Sequence, residues 1–277
     1  MKTDFRERRA SPDSHHFCAS LNNEEITVWG TREFNKIATM RPGFSGGRER
    51  YIVDPLDHII YSGTWENGLT AFDYMSEKQQ WKRKDLIGIQ RVDLSPAFPT
   101  TIFVTLEAPD YRVEEPGIFS GIVELERKTG KTVWKSDKGD DVYLHPDRPI
   151  LVVQDRVEDR IRILNERREE TASTEMLNFA LIDLAFSGEL IALAEGAKGT
   201  RVLDTSGKTI SRNIPAGRKP NCTRVAIFRD HVCVYDSWEN SFITIIDPKS
   251  GKTVSEYKME TGGDPCFIDN GARFFRR

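Results

Sequence analysis

The sequence predicts an all-β repeat protein, a single β-propeller of four-stranded blades, on three observations. Two stretches share five of eleven residues at matching positions, DHIIYSGTWEN at 57–67 and DHVCVYDSWEN at 230–240, with Asp57, His58, Trp65, Glu66 and Asn67 recurring as Asp230, His231, Trp238, Glu239 and Asn240. Their spacing of 173 residues divides into four units of about 43, the length of a propeller blade. Short apolar strands around Gly- or Asx-containing turns recur along the whole chain, while helical 3.6-residue periodicity is nearly absent. The composition is globular: of 277 residues, 38% are apolar, 30% charged and 10% aromatic, too aromatic for a disordered chain.

Each blade is assembled from two recurring pieces. The first is strand, Pro/Asp/Gly turn, strand, as in YIVDPLDHIIYSG (51–63), RVDLSPAFPTTIFVTL (91–106), VYLHPDRPILVVQ (142–154), ALIDLAFSGELIALA (180–194) and RVAIFRDHVCVYD (224–236). The second is a hairpin around a glycine turn, as in GIVELERKTGKTVWKS (121–136), TRVLDTSGKTISRN (200–213) and SFITIIDPKSGKTVSEYK (241–258). The glycine supplies the positive φ that the turn requires. Weaker hairpins are read at 26–40 and 69–84, and 162–178 is read as an outer strand with a charged loop. Joined, the pieces make an up-and-down meander that limits exposed sheet edges when repeated around a ring.

Full units fall at about 48–84, 88–136, 140–175, 178–214 and 222–259, with a sixth from 15–46. Six blades are expected, with seven as the alternative. The domain reading is a tail or irregular strand at 1–14 and the propeller at 15–277. Residues 264–277 supply two strands, so the N- and C-terminal strands are expected to share the closing blade.

Here the motifs resemble known families. The V-x-L-x-x-x-T-G-K-x-x-W string of 123–134 resembles the repeat of quinoprotein-like β-propellers, and SFITIIDPKSGKTV resembles surface-layer-type propeller repeats. The resemblance implies the fold. It implies no quinone, because the dedicated cofactor residues have no counterpart here, and no cofactor is expected. The Gly-His and Trp-Asp signatures of WD repeats are missing.

With 40 Lys+Arg against 43 Asp+Glu the net charge is −3, so no bulk pull toward nucleic acid is expected. No apolar run approaches the roughly 18 residues of a membrane span. The charged start MKTDFRERRASPDSHH lacks the apolar region of a secretory signal. Cys18, Cys222, Cys233 and Cys266 show no CxxC spacing and read as buried free thiols. A cytoplasmic protein is expected.

In propellers of this kind, partners bind the face carrying the turns between second and third strands. Acids dominate those turns: Glu24, Glu25, Glu66, Glu107, Asp110, Glu114, Glu115, Asp155, Glu158, Asp159, Glu195 and Glu239, against Arg112, Arg156 and Lys198. The opposite turns are basic, with Arg32, Lys36, Lys78, Arg127, Lys128, Lys131, Lys208, Lys249 and Lys252. An acidic face favours a basic partner. Trp65 with Glu66 and Trp238 with Glu239 offer aromatic anchors with charged rims; the same Trp residues also suit packing between blades. The insertion from Glu107 to Phe119 departs most from the repeat, with Asp110, Tyr111, Glu114, Glu115 and Phe119 as candidates.

The expected function is therefore that of a non-enzymatic propeller that binds a basic protein, as an inhibitor or immunity protein masking a nuclease-type toxin. The alternative is a calcium-dependent propeller hydrolase of the lactonase type, with Asp54, Asp93, Asp183 and Asp269 at inner-strand positions. His15, His16, His58, His145 and His231 read as turn residues. No GxSxG elbow, phosphate-binding glycine loop or HExxH occurs, so no catalytic residue and no metal ligand is assigned.

Overall fold

The computed structural model describes residues 7–10, 16–20, 26–30, 35–40, 50–107, 119–177, 181, 183–214, 223–228, 231–236, 242–258, 266–268 and 273–275. Strand dominates; the helical element among the described residues is one 3-10 turn at Gly196–Lys198. The first sheet is β1 (Glu7–Ala10), β2 (His16–Ser20), β3 (Ile26–Gly30) and β4 (Lys36–Met40). The second is β5 (Arg50–Asp54), β6 (Ile59–Thr64), β7 (Gly68–Asp73) and β8 (Lys78–Arg83). The third is β9 (Ile89–Asp93), β10 (Thr101–Leu106), β11 (Gly121–Glu126) and β12 (Thr132–Ser136). The fourth is β13 (Asp141–Leu144), β14 (Leu151–Asp155), β15 (Arg160–Leu164) and β16 (Glu170–Glu175). The fifth is β17 (Asp183–Ser187), β18 (Leu190–Ala194), β19 (Thr200–Asp204) and β20 (Thr209–Ile214). The sixth is β21 (Thr223–Phe228), β22 (His231–Asp236), β23 (Phe242–Ile246) and β24 (Thr253–Lys258). Each of the six four-stranded sheets pairs its strands in sequence order.

β25 (Cys266–Ile268) and β26 (Arg273–Phe275) pair only with each other among the described strands. This corrects the expected sharing of a closing blade. Glu7–Ala10 pairs with Ser20–Phe17, so the first sheet has its four strands from the N-terminal region alone.

The strands differ by layer, for a physical reason. Second strands bury both faces, as β6, β10 and β14 do along their whole length, while third strands such as β15 and β23 are only partly buried. β10 (TIFVTL) accordingly reads as a nearly continuous apolar run rather than as an alternating one. Fourth strands are edges and are polar, as in β8 and β24. In each of the six four-stranded sheets the register slips between the third and fourth strands, at Val28/Trp29, Ala71/Phe72, Glu124/Leu125, Ile163/Leu164, Val202/Leu203 and Ile245/Ile246, with a further slip at Thr200/Val202 in the fifth. A bulge at the edge adds twist and blunts strand-to-strand aggregation.

The chain divides into two compact units, Met1–Leu144 and His145–Arg277. Within the first, β1 lies beside β5 and β5 beside β9; within the second, β17 lies beside β21. The first unit packs Tyr61, Leu69 and Ala71 of one blade against Ile89, Val92 and Val104 of the next. In the second, Ala192 and Val202 meet Val225 and Val232.

The turn glycines are explained by this packing. Trp81 donates Nε1–H to the Arg127 carbonyl at 2.7 Å and lies against Gly130 (φ +68), where a Cβ would come within 2.8 Å of the indole. Gly207 (φ +81) meets Ala172, and Gly251 (φ +67) meets Ser211, at the same register in later blades. The TGK, SGK and KSGK glycines thus serve both the turn and the close approach of the preceding edge strand.

Candidate functional site

The turn between β6 and β7 carries Trp65, Glu66 and Asn67. Thr64 ends β6 buried, and its Oγ1 accepts the Asn67 N–H at 2.8 Å. The Trp65 carbonyl accepts the Gly88 N–H, and the Gly88 carbonyl accepts the Glu107 N–H, both at 2.8 Å. Gly88 therefore ties the second-to-third-strand turns of two consecutive blades. Its φ is +74, and a Cβ there would fall 1.9 Å from the Glu107 carbonyl oxygen. The Glu107 carboxylate accepts the Gln90 amide N–H at 2.6 Å. Trp65 is half-buried, and Glu66 and Glu107 are exposed.

Phe119 is half-buried and packs on the core of the second and third blades, with the Lys135 ammonium 5.4 Å from its ring centre. It anchors the end of the insertion. Asp110, Tyr111, Glu114, Glu115, Trp238 and Glu239 lie outside the described residues.

In the corresponding turns of the second unit the buried acids are paired within the fold. Asp155 is 2% exposed. One of its oxygens accepts the Glu158 N–H at 3.0 Å, and the other accepts Arg162 Nε and Nη2 at 3.1 and 3.0 Å. Arg162 also pairs with Glu158 at 2.6 Å and Glu170 at 2.5 Å. Glu195, likewise buried, pairs with Arg201 at 2.8 Å and accepts the Leu177 N–H at 3.0 Å. The expectation of free acids at Asp155, Glu158 and Glu195 is corrected by these pairs. Arg162 and Arg201 were detectable in the sequence, as charges inside RIRIL and TRVLD strand runs.

The opposite turns need a similar correction. Arg127, counted as a surface base, is buried. It donates to Asp54 at 2.6 Å and to the carbonyls of Thr101, Ser95 and Phe98 at 3.0, 3.1 and 2.9 Å. Lys36, Lys78, Lys128, Lys131, Lys208, Lys249 and Lys252 are exposed. Turn aspartates repeat a cap. Hydrogen bonds lower the carboxyl of Asp73 chiefly through Ser76 N–H, of Asp204 through the Ser206 hydroxyl and of Asp247 through the Ser250 hydroxyl.

The inner-strand aspartates are engaged by protein groups. Asp54 holds Arg127; Asp93 pairs with Arg91 at 2.6 Å, and Arg91 reaches Asp141 at 3.5 Å and lies over the Tyr143 ring at 4.6 Å. Burial, with Asp93 adding to it, raises the Asp141 carboxyl against the pull of Arg91. Asp183 accepts the Val225 N–H at 2.9 Å, and Asp269 lies outside the described residues. Among the described residues no group of three or more His, Cys, Asp or Glu is placed to hold a metal ion.

His145 caps its turn: Nδ1 accepts the N–H groups of Asp147 and Arg148 at 3.1 and 3.2 Å, and Nε2 meets the Gly188 carbonyl at 2.9 Å. His58 occupies a turn at φ +56. Cys233 is a buried free thiol, its pKa pushed up to about 11 by burial.

No family model matches the chain, and no curated protein matches it. Solved structures do. The crystal structure of BamB from Moraxella catarrhalis, a quinoprotein-like propeller, matches with a TM-score of 0.66 at 11% identity, covering 94% of this chain and 76% of that one. The computationally designed Ika8 protein matches with a TM-score of 0.69 at 8% identity, covering 97% of this chain and 79% of that one. The fold is that of a β-propeller with six four-stranded blades. Among the described residues no helix is long and apolar enough to cross a membrane.

Proposed function

We propose that the chain is a non-enzymatic cytoplasmic propeller that binds a basic protein. The specific version is an inhibitor or immunity protein masking a nuclease-type toxin. The observation that carries this reading is the Trp65–Gly88–Glu107 staple. It ties the main chain of half-buried Trp65 to that of exposed Glu107, with exposed Glu66 next to Trp65 in the chain, in the first unit. Preorganised backbone lowers the ordering cost of binding, an aromatic with a charged rim is the hot-spot pattern, and unpaired acids steer a cationic partner. Asp110, Tyr111, Glu114 and Glu115, outside the described residues, remain candidates in this reading, and it assigns no catalytic step to the chain.

The test is interferometry of the intact chain against a panel of basic nuclease-type toxin domains, with nuclease activity measured in parallel. Tight binding with loss of nuclease activity is expected. Trp65→Ala should weaken a cognate complex by about 2 kcal/mol, roughly 30-fold. Glu66→Lys with Glu107→Lys should slow association and flatten its salt dependence. A panel without a binder, or a binder indifferent to all three changes, would overturn the reading.

A further inference from the structure

In the second unit, the β13–β14, β15–β16 and β19–β20 turns line an open cleft of about 620 Å³, a volume in the range of small-ligand sites. The turns that line it are held in place. Arg148 makes a two-armed ion pair with Glu189, Nη1 donating to Oε2 at 2.7 Å and Nη2 to Oε1. The Thr205 hydroxyl donates to Glu189 Oε2 at 2.6 Å. Buried His145 caps the first turn and meets the Gly188 carbonyl. Asn165 Oδ1 fixes the second turn by accepting the Arg167 and Glu169 N–H groups at 2.8 and 3.1 Å.

The repeat explains why a cleft opens at this place. Ala172 holds the register of Trp81: each pairs with the third-strand residue just before the slip, Ile163 and Ala71 respectively. Trp81 covers Gly130 of the next blade, and Ala172 meets the corresponding Gly207. With a methyl group in the place of an indole, the space beside Thr171 is left uncovered.

The lining is chemically one-sided. Thr171 gives its hydroxyl hydrogen to the Ile163 carbonyl at 3.1 Å, Ser206 to Asp204 at 2.5 Å and Thr205 to Glu189. A hydroxyl has one hydrogen and two lone pairs, so these three offer the cleft acceptors only. Glu166 adds a carboxylate, and Glu169 adds the oxygen that Asn165 leaves open. The exposed Arg167 guanidinium is the donor; neither it nor the Glu166 carboxylate has a partner among the described residues. Glu166 and Glu169 stand against Arg167, with Arg168 and Lys208 on the same turns, so the charges nearly balance and select no ion. Pro149 and Ile150 add a small apolar floor.

We propose that this cleft binds a neutral, hydroxyl-rich molecule, a mono- or disaccharide. The sugar hydroxyl hydrogens meet the acceptors, Arg167 donates to a sugar oxygen, and a C–H face rests on Pro149 and Ile150. An apolar ligand would leave the polar lining unmatched. The cleft uses none of the residues of the proposed toxin-binding surface.

The experiment follows the amide NMR signals of Arg167 and Ser206 in the full chain during titration with glucose, N-acetylglucosamine, maltose and trehalose. Inorganic phosphate and spermidine are the charged controls. Saturable shifts at both amides with at least one sugar are expected. The Glu166→Ala/Arg167→Ala variant should unfold at the wild-type temperature, since both side chains are exposed, and should bind that sugar roughly tenfold or more weakly. Ala172→Trp, which restores the indole of the second blade, should block binding. The proposal is overturned if no sugar saturates these signals, or if phosphate or spermidine binds as tightly. It is also overturned if either folded variant binds the sugar as the wild type does.

Discussion

The second-to-third-strand turns of the second blade and of the fourth and fifth blades are built to one plan with opposite electrostatic results. Thr64 and Asp155 each end a second strand and each cap the N–H three residues on. Aligned on the recurring bulge, the third strands carry Thr70 in the second blade, Arg162 in the fourth and Arg201 in the fifth. Where the cap is a neutral hydroxyl, the third strand needs no charge, and Glu66 stays free at the surface. Where a carboxylate is buried at the turn, an arginine from the third strand answers it. A count of acids on a face is therefore not its charge; the residue one strand over decides.

The largest effect expected from this comparison is on the buried pair. Arg201→Leu strands Glu195 without a partner and should cost about 3–5 kcal/mol. Adding Glu195→Leu should recover much of it, as read by chemical denaturation. A single Arg201→Leu change that left stability intact would dissolve the contrast between the two regions.

Next in size is the staple of the first unit. Gly88→Ala places a Cβ against the Glu107 carbonyl at positive φ and should cost about 2 kcal/mol or more. Hydrogen exchange at the Glu107 amide should quicken with it. Unchanged protection there would mean that the turn does not depend on Gly88.

A smaller, pH-dependent effect belongs to His145. Burial lowers its pKa from the ordinary 6.5. The neutral ring, accepting two N–H groups at Nδ1, is the folded form. Its stabilisation is fully present above about pH 6.5 and is lost progressively as the pH falls below that value through the lower folded-state pKa, because the unfolded chain binds the proton more readily. His145→Gln should flatten this stretch of the stability profile. An equally steep profile in the variant would assign the dependence to other groups.

The smallest effect is expected at the exposed acids, of which Glu107 accepts only the Gln90 amide N–H. Glu66→Gln and Glu107→Gln should each alter stability by no more than about 0.5 kcal/mol. A larger loss at either would show that it, too, is part of the scaffold.

Much of the architecture was legible in the sequence because it repeats. Boundaries of the last five blades, read from turn glycines and apolar runs, agree with the strands to within about five residues, whereas the first blade, read as 15–46, runs from Glu7 to Met40 because β1 (Glu7–Ala10) belongs to its sheet. Gly130, Gly207 and Gly251 declare their turns because no other residue takes that φ freely. The candidate site was legible only in part. Trp65 and Glu66 stood out through their recurrence at Trp238 and Glu239, yet nothing local to Asp155 or Glu195 says that it is buried. Their partners lie seven and six residues away, across a strand turn.

The sequence by itself thus determined the four-stranded meander and the place of each hairpin, and favoured six blades over seven, since these follow from periodicity and turn chemistry within a few residues of chain. Tertiary structure alone decided which charges remain free. It placed Arg127 on Asp54, 73 residues apart, and Gly88 between Trp65 and Glu107. It also gave the first sheet its fourth strand from Glu7–Ala10 rather than from the C-terminal hairpin. The physical reason is that a turn is chosen by local torsions, whereas the state of a charge depends on whatever groups packing brings within hydrogen-bonding reach, and sequence distance carries no record of that.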